Sequence, residues 1–331
     1  MLVNFSAGMT QYTMVSEFEV GALLWTQATS WDEMRRASER IDDAGYQHLW
    51  FYDHLHAINT RDPYLPIFEG WAVVAGLATI TRKAHLGLLV GANTFRNPGV
   101  VAKTATTVDH MSGGRAIVGM GGAWNAREHR AFGLEFGSST GERLDWLDEA
   151  AGAIRRLLDG DVVTAGPGAH YRFDEARLEP PPLQRHLPIM IGGSGERKTL
   201  RTVARHADMW NVFGDPERLA AKDAVLRRHC EEVGRDPEAI ERTVSAKLVI
   251  RDSAEEAYEV WARQMVNNRC PEEDWDDPSE LWLGSPAHIA AEIRSRRAVG
   301  FHTFIGMLAA PFDPETIDRL IGEVKPMVEL G

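Results

Sequence analysis

The chain has 331 residues, 44% of them hydrophobic and 25% charged, the ordinary balance of a soluble globular protein. Its 36 basic and 48 acidic side chains leave a formal net charge of −12, which argues against a general nucleic-acid or anionic-membrane surface while leaving room for a local basic pocket. Cysteine occurs only at Cys230 and Cys270, no apolar run is long enough to span a membrane, and no basic-then-apolar leader opens the chain, so a reducing cytoplasm is the expected compartment.

Residues 1–17 read as a flexible leader, and 18–331 as a single domain with insertions near 159–186 and 268–284. Phe18 to Trp25 is a first buried strand. Ser30 with Glu33 three residues on forms a capping box, opening a helix that carries Met34, Ala37, Ile41 and Ala44 at helical spacing and closes on Gly45. Gln47 to Asp53 is a second strand, followed by a long loop rich in Asn, Pro and Asp. Glu69 to Ile80 is helical. From Ala84 to Asn125 the chain reads as an apolar strand, a loop with Asn97-Pro98, a helix closed by Gly113-Gly114, and a second apolar strand running into glycines. Such a unit makes parallel strands, whose ligands sit beyond the carboxyl ends.

A long amphipathic helix follows at about 142–158. Asp161 to Pro182 alternates around Gly166-Pro167-Gly168 and predicts an inserted hairpin. Strands at 187–191, 207–212, 243–250 and 301–307 then alternate with helices at 196–206, 216–233, 254–265, 287–298 and 314–330, interrupted by an acidic segment, Cys270 to Trp282. Eight strands alternating with helices predict an α/β fold, a (β/α)8 TIM barrel with insertions.

In a barrel, chemistry belongs to the carboxyl ends of the strands. Those ends offer Asp53 and His54, then Gly91 to Thr94, then Gly121 to Asn125, then Gly192 to Gly195. Gly192, Gly193 and Ser194 put backbone amides and a hydroxyl beside a helix start, a setting that favours phosphate, with Arg197 and Lys198 as added charge; the same residues also suit a plain strand-to-helix turn. His54 can give or take a proton near neutral pH, or serve structurally. Asn125 suits a ring edge or ribityl hydroxyls as well as a loop cap. Arg96 and Lys103 lie near the rim or pair on a helix surface. Trp124, in the glycine-rich loop, belongs near a ligand. His85, His110, His129 and His170 show no metal-ligand spacing, so no metal is expected, and neither a GxSxG elbow nor a Walker loop is present.

The ordered series WFYDHL, EGW, RKAHLGLLVGANTFRNP, AKTATTVDHMSGGRAIVGMGGAWNAREHRAFG, GERLDWLDEA and LPIMIGGSGERKTLRTVARHADMWN resembles the bacterial luciferase-like monooxygenase superfamily, and within it the branch that uses the deazaflavin coenzyme F420. The resemblance implies a luciferase-like barrel, commonly a homodimer, with a non-prolyl cis peptide in a bulge after the third strand, at Leu89-Val90, against the cofactor ring. It carries over His54 as the catalytic proton donor or acceptor. Asp53, Leu89, Val90, Gly91, Ala92 and Asn125 come over as cofactor-pocket residues, and Gly192, Gly193 and Ser194 as the phosphate loop. The family's sugar-phosphate dehydrogenases carry a glutamate where this chain has Gly121-Gly122-Ala123; that carboxylate is missing here, and the resemblance leaves the substrate unassigned.

The implied activity is hydride transfer between deazaflavin and a small organic substrate. An FMN-dependent monooxygenase is the alternative, and a barrel that binds a small molecule without turnover is a third reading. The acidic tail of the deazaflavin predicts a cationic groove at Arg197, Lys198 or Arg201.

Overall fold

The computed structural model describes residues 18–275 and 280–330. The expected leader and residues 276–279 of the second expected insertion lie outside them. Eight parallel strands form the barrel: β1 Glu19–Leu24, β2 His48–Phe51, β3 His85–Leu88, β4 Ala116–Gly121, β5 Ile189–Gly192, β6 Met209–Val212, β7 Glu241–Ile250 and β8 Thr303–Leu308. Each pairs with the next, and β8 closes the ring on β1, with Glu19 opposite Thr303 and Leu24 opposite Leu308. The chain is therefore a (β/α)8 barrel. Connections of a dozen or more residues between parallel strands leave room for the helices that cover the outer face.

Side chains alternate across each strand, so every second residue points into the barrel. The neighbouring registers, Leu23 beside Trp50 and Trp50 beside Gly87, place these residues on one inner face. The interior then stacks in three levels. At the amino end lie Glu19, His48, His85 and Glu241, each the first residue of its strand. Trp50 fills the middle level with Ile117, Met190, Met209 and Ile305, all fully buried. Glycine makes room for its indole: a Cβ at Gly87 would come within 2.8 Å of the ring, and one at Gly21 within 3.3 Å. Leu23, Tyr52, Leu89 and Met307 form the upper level and line the cavity above.

The helices follow the expected signals. Ser30 and Glu33 make the reciprocal capping box of helix Trp31–Ala44, which ends on left-handed Gly45. From its inner face Asp42 accepts hydrogen bonds from the backbone N–H groups of Arg82, Lys83 and Ala84 at 2.8, 2.9 and 2.8 Å, fixing the entry to β3. Burial acts to raise this carboxyl, but the three N–H donors and Arg115 hold it below its ordinary value of 3.8. Asp42 thus contributes fully above that value, and its contribution drains as pH falls below it. Asp42→Ala should cost about 2–3 kcal/mol by stranding buried donors; urea unfolding at neutral pH would measure the loss, and the gap from wild type should narrow in acid.

Three elements depart from the sequence expectations. The helix expected from Glu196 begins at Thr199, because 196–198 form a separate turn and Lys198 offers no side-chain cap. The closing helix contains a π turn, Leu320–Val324, two residues before Pro326, whose ring nitrogen has no hydrogen for the carbonyl of Gly322. The acidic segment leads into an extra strand, Leu281–Gly284, paired with Lys247–Ile250 of β7 above the point where β6 stops pairing. The hairpin expected in 161–182 is present, as Val163–Ala165 against Phe173–Ala176.

Candidate active site

The main cavity, about 580 Å³, opens at the carboxyl ends of the strands. Its central wall is a bulge after β3. Leu89 and Val90 leave the pairing register across a cis peptide bond, and the chain rejoins β4 at Gly91 and Ala92 opposite Met120 and Gly121. Glycine on the neighbouring strands accommodates the bulge. A Cβ on Gly119 would sit 1.7 Å from the carbonyl oxygen of Leu88. Methyl groups of Val90 occupy the space that Cβ atoms on Gly121 and Gly192 would take, at 2.6 and 2.9 Å. Leu89, Val90, Gly91 and Ala92 all line the cavity.

Asp53 anchors this wall from behind. It is 2% exposed; Arg96 grips both its oxygens at 2.8 Å, and the N–H of Ala92 donates to one of them at 2.9 Å. Arg96 also pairs with Glu69, the cap of helix Gly70–Ala78. Arg96 is thus a bracket between strand end, bulge and helix. Lys103 is elsewhere, bound to the carbonyl of Glu179. Arg96→Met would leave Asp53 as an uncompensated buried charge, an expected loss of about 3–5 kcal/mol, to be read from chemical denaturation at neutral pH.

His54 faces the cavity, with Nδ1 at 3.0 and 3.1 Å from the two carboxylate oxygens of Glu128. Glu128, 1% exposed, also accepts from the N–H groups of Leu55 and His56 at 2.7 and 3.2 Å. Burial pushes its carboxyl up, yet the hydrogen bond and charge of His54 together with those two N–H donors hold it below the ordinary carboxylate range. An ionised Glu128 accepts only, so Nδ1 of His54 must carry a proton. The ring's other nitrogen, Nε2, is then the one that exchanges protons. Trp124, 61% exposed, stands edge-on to the imidazole with ring centroids 5.6 Å apart, and Tyr52 packs on it at 5.8 Å.

Gly192, Gly193 and Ser194 line the cavity at the end of β5. The residues expected to form a cationic groove lie outside the cavity lining. Lys198 is committed to Asp145 at 2.6 Å and to the carbonyl of Gly141, while Arg197 and Arg201 are exposed and do not line the cavity. Arg218, from helix Pro216–Val233, and Lys247, from β7, line the cavity instead. Asn125 lines it too, while its side-chain oxygen caps helix Ala126–Phe132 by accepting from Arg127 N–H.

Sequence reasoning missed Glu128, Tyr52, Arg218 and Lys247. The signal for Glu128 was present: it lies three residues beyond Asn125 in the helix that leaves the glycine-rich loop. It places a carboxylate in the pocket although the loop itself has none.

A parallel barrel with a deep cavity at its carboxyl rim, lined by a glycine-cradled bulge and a carboxylate-oriented histidine, is an enzyme-like ligand site rather than a packed scaffold. The family model described as luciferase-like monooxygenase matches residues 10–303, and the chain belongs to that family. An uncharacterized protein of Mycobacterium tuberculosis is 30% identical over 156 residues, 45% of this chain and 51% of that protein. Pyrimidine monooxygenase RutA of Agrobacterium fabrum is 26% identical over 221 residues, 65% of this chain and 57% of that protein. The chain thus spans about half the length of the curated relatives it matches.

Among solved structures, the coenzyme F420 dependent tetrahydromethanopterin reductase of Methanopyrus kandleri superposes with a TM-score of 0.77 at 19% identity, covering 94% of this chain and 99% of that one. An F420-dependent secondary alcohol dehydrogenase, in complex with an F420-acetone adduct, gives 0.79 at 21%, with the same coverage. Monooxygenase RslO1 of Streptomyces bottropensis gives 0.76 at 20%, covering 94% and 98%. At these identities the likeness is one of fold.

Proposed function

We propose that this chain is a coenzyme F420-dependent oxidoreductase that moves hydride between the deazaflavin and a small organic substrate. The observation that carries the reading is one cavity lined both by the Leu89-Val90 bulge and by His54, oriented by Glu128. Family membership supports a redox cofactor, and the F420-dependent structures with the same barrel support the deazaflavin.

The residues present fit such a group. The cavity lies within the range of about 300–1,000 Å³ typical of cofactor and ligand sites. Glycines 121 and 192 leave Val90 unobstructed as a flat backing, and Gly193, Ser194 and Arg218 offer amides, a hydroxyl and a cation for a phosphate. When bound, the deazaflavin would supply or accept a hydride at its central ring carbon. The protein's own part is positional and protonic. Val90 and its glycine neighbours fix one face, Trp124 and Tyr52 hold the ring of His54 between them, and Nε2 of His54 holds or receives the proton that accompanies hydride transfer. Family likeness also supports a homodimer, and the cysteine usage a cytoplasmic site.

FMN-dependent monooxygenation is the second reading, favoured by the similarity to the Agrobacterium pyrimidine monooxygenase. Titrating the protein with coenzyme F420 and, separately, FMN, with tryptophan fluorescence as the readout, separates the two. Trp124 at the cavity makes quenching the expected signal. Tight binding of F420, followed by anaerobic oxidation of its reduced form by a carbonyl, enone or imine acceptor, is the expected result. Preference for FMN with oxygen uptake would replace this reading with the second.

A further inference from the structure

The amino end of the barrel, away from the cavity, holds a second cluster of chemistry-bearing groups. Glu19, His48 and Glu241 open β1, β2 and β7, and one ligand atom from each lies within 4.8 Å of the others. His48 is 1% exposed, its Nε2 lies 2.6 Å from Glu19, and its Nδ1 is buried without a hydrogen-bond partner. The Glu19 side chain is 27% exposed and gives the cluster access to solvent. Thr303 donates to Glu241 and orients it.

Trp50 stacks on His48, with ring centroids 5.9 Å apart, and separates the cluster from the cavity. His85 stands beside it, 6.1 Å from His48 between centroids; burial first, then the charge of His48, push its imidazole down to about 3, so it remains a neutral nitrogen base. Lys325 is the cation nearest Glu19 on the closing helix, and it is also hydrogen-bonded to Gln47.

We propose that Glu19, His48 and Glu241 form a binding site for one divalent transition-metal ion, of which zinc is the reference, at the floor of the barrel. Two carboxylates and an imidazole are a donor set for zinc, manganese, iron or cobalt rather than for calcium or magnesium, which take oxygen ligands. Metal–ligand distances of about 2.0–2.2 Å put neighbouring ligand atoms roughly 3.4 Å apart, so side-chain rotations at Glu19 and Glu241 bring the three groups around one ion. The ion takes the place of the proton now shared by His48 and Glu19 and ties β7 to the paired strands β1 and β2. This role is structural, and it does not depend on which cofactor the upper cavity binds.

The test uses the full chain without an affinity tag, stripped with EDTA, dialysed, and titrated with Zn2+ and separately with Co2+. The expected result is one ion retained per chain by elemental analysis, a visible d–d band with cobalt, and a higher melting temperature with zinc than with EDTA. Glu241→Gln keeps the residue's shape and its acceptor for Thr303, so it is the deciding variant. It should fold with an unchanged circular dichroism spectrum and bind zinc at least about tenfold more weakly, while quenching by the upper-cavity cofactor stays as in the wild type. Uptake of no ion at micromolar zinc, or equal uptake by Glu241→Gln and Glu19→Gln, overturns the proposal and leaves the cluster as a buried ion pair.

Discussion

Glu128→Gln is expected to lower turnover about 10²- to 10⁴-fold with little change in cofactor affinity, the range set by losing a positioned acid–base group or its correct tautomer. The glutamine keeps an oxygen for the N–H groups of Leu55 and His56. Its amide nitrogen is then turned towards Nδ1 of His54 and donates where the carboxylate accepted. That fixes the opposite tautomer and puts the hydrogen on Nε2. Glu128 is a positioning residue, so the variant should also change the pH profile of kcat rather than only scale it. Below the ordinary carboxylate range the wild-type Glu128 itself protonates, and wild type and variant should converge there. A variant with full kcat and an unaltered profile would show that His54 needs no orienting partner.

Gly119→Ala carries the second large effect, and it acts on the fold. The new methyl carbon would lie 1.7 Å from the carbonyl oxygen of Leu88, a backbone atom that cannot swing aside as a side-chain tip can. Relief requires β3 and β4 to part just beyond the pairs of Leu86 with Ala116 and Gly87 with Ile117. The expected cost is about 3 kcal/mol or more, and at this chain length a few kcal/mol moves the melting temperature by on the order of 5 °C. Cofactor binding should fall with it, because the displaced wall carries Leu89 and Val90. Scanning calorimetry with and without cofactor would read both effects. Gly160→Ala is the control for glycine removal as such: its Cβ would meet nothing within 4 Å, although its φ of 92° still disfavours alanine.

The alternation of apolar strands with helices, most of them capped, made the barrel legible from the residues alone, because the strands are largely buried on both faces and most helices carry their own start signal. The ends of the strands were legible too: His54, Gly91, Ala92, Asn125 and the Gly192 to Ser194 loop all border one cavity. Placing the cis peptide at Leu89-Val90 needed the family resemblance, since nothing in the composition of that strand specifies it. Glu128 stayed hidden because a glutamate in a polar helical segment looks solvated until the loop 74 residues earlier folds over it. Arg218 and Lys247 were missed for the opposite reason. The basic residues nearest the glycine loop in sequence drew attention, whereas proximity in the barrel comes from the next two strands round the ring. The floor cluster had no local signature at all, as each member opens a different strand.

Trp50 gives the molecule a partition, and partitions matter for how a protein can change. Loops on the upper rim can be lengthened, shortened or exchanged without disturbing what lies beneath the indole, and the lower end can gain or lose polar groups without retuning the chemistry above. A scaffold divided in this way lets lineages explore new substrates on one side while the other side goes on setting how robust the fold is. Replacing Trp50 with a smaller side chain would open a void in that partition beside Gly21 and Gly87 and weaken that independence.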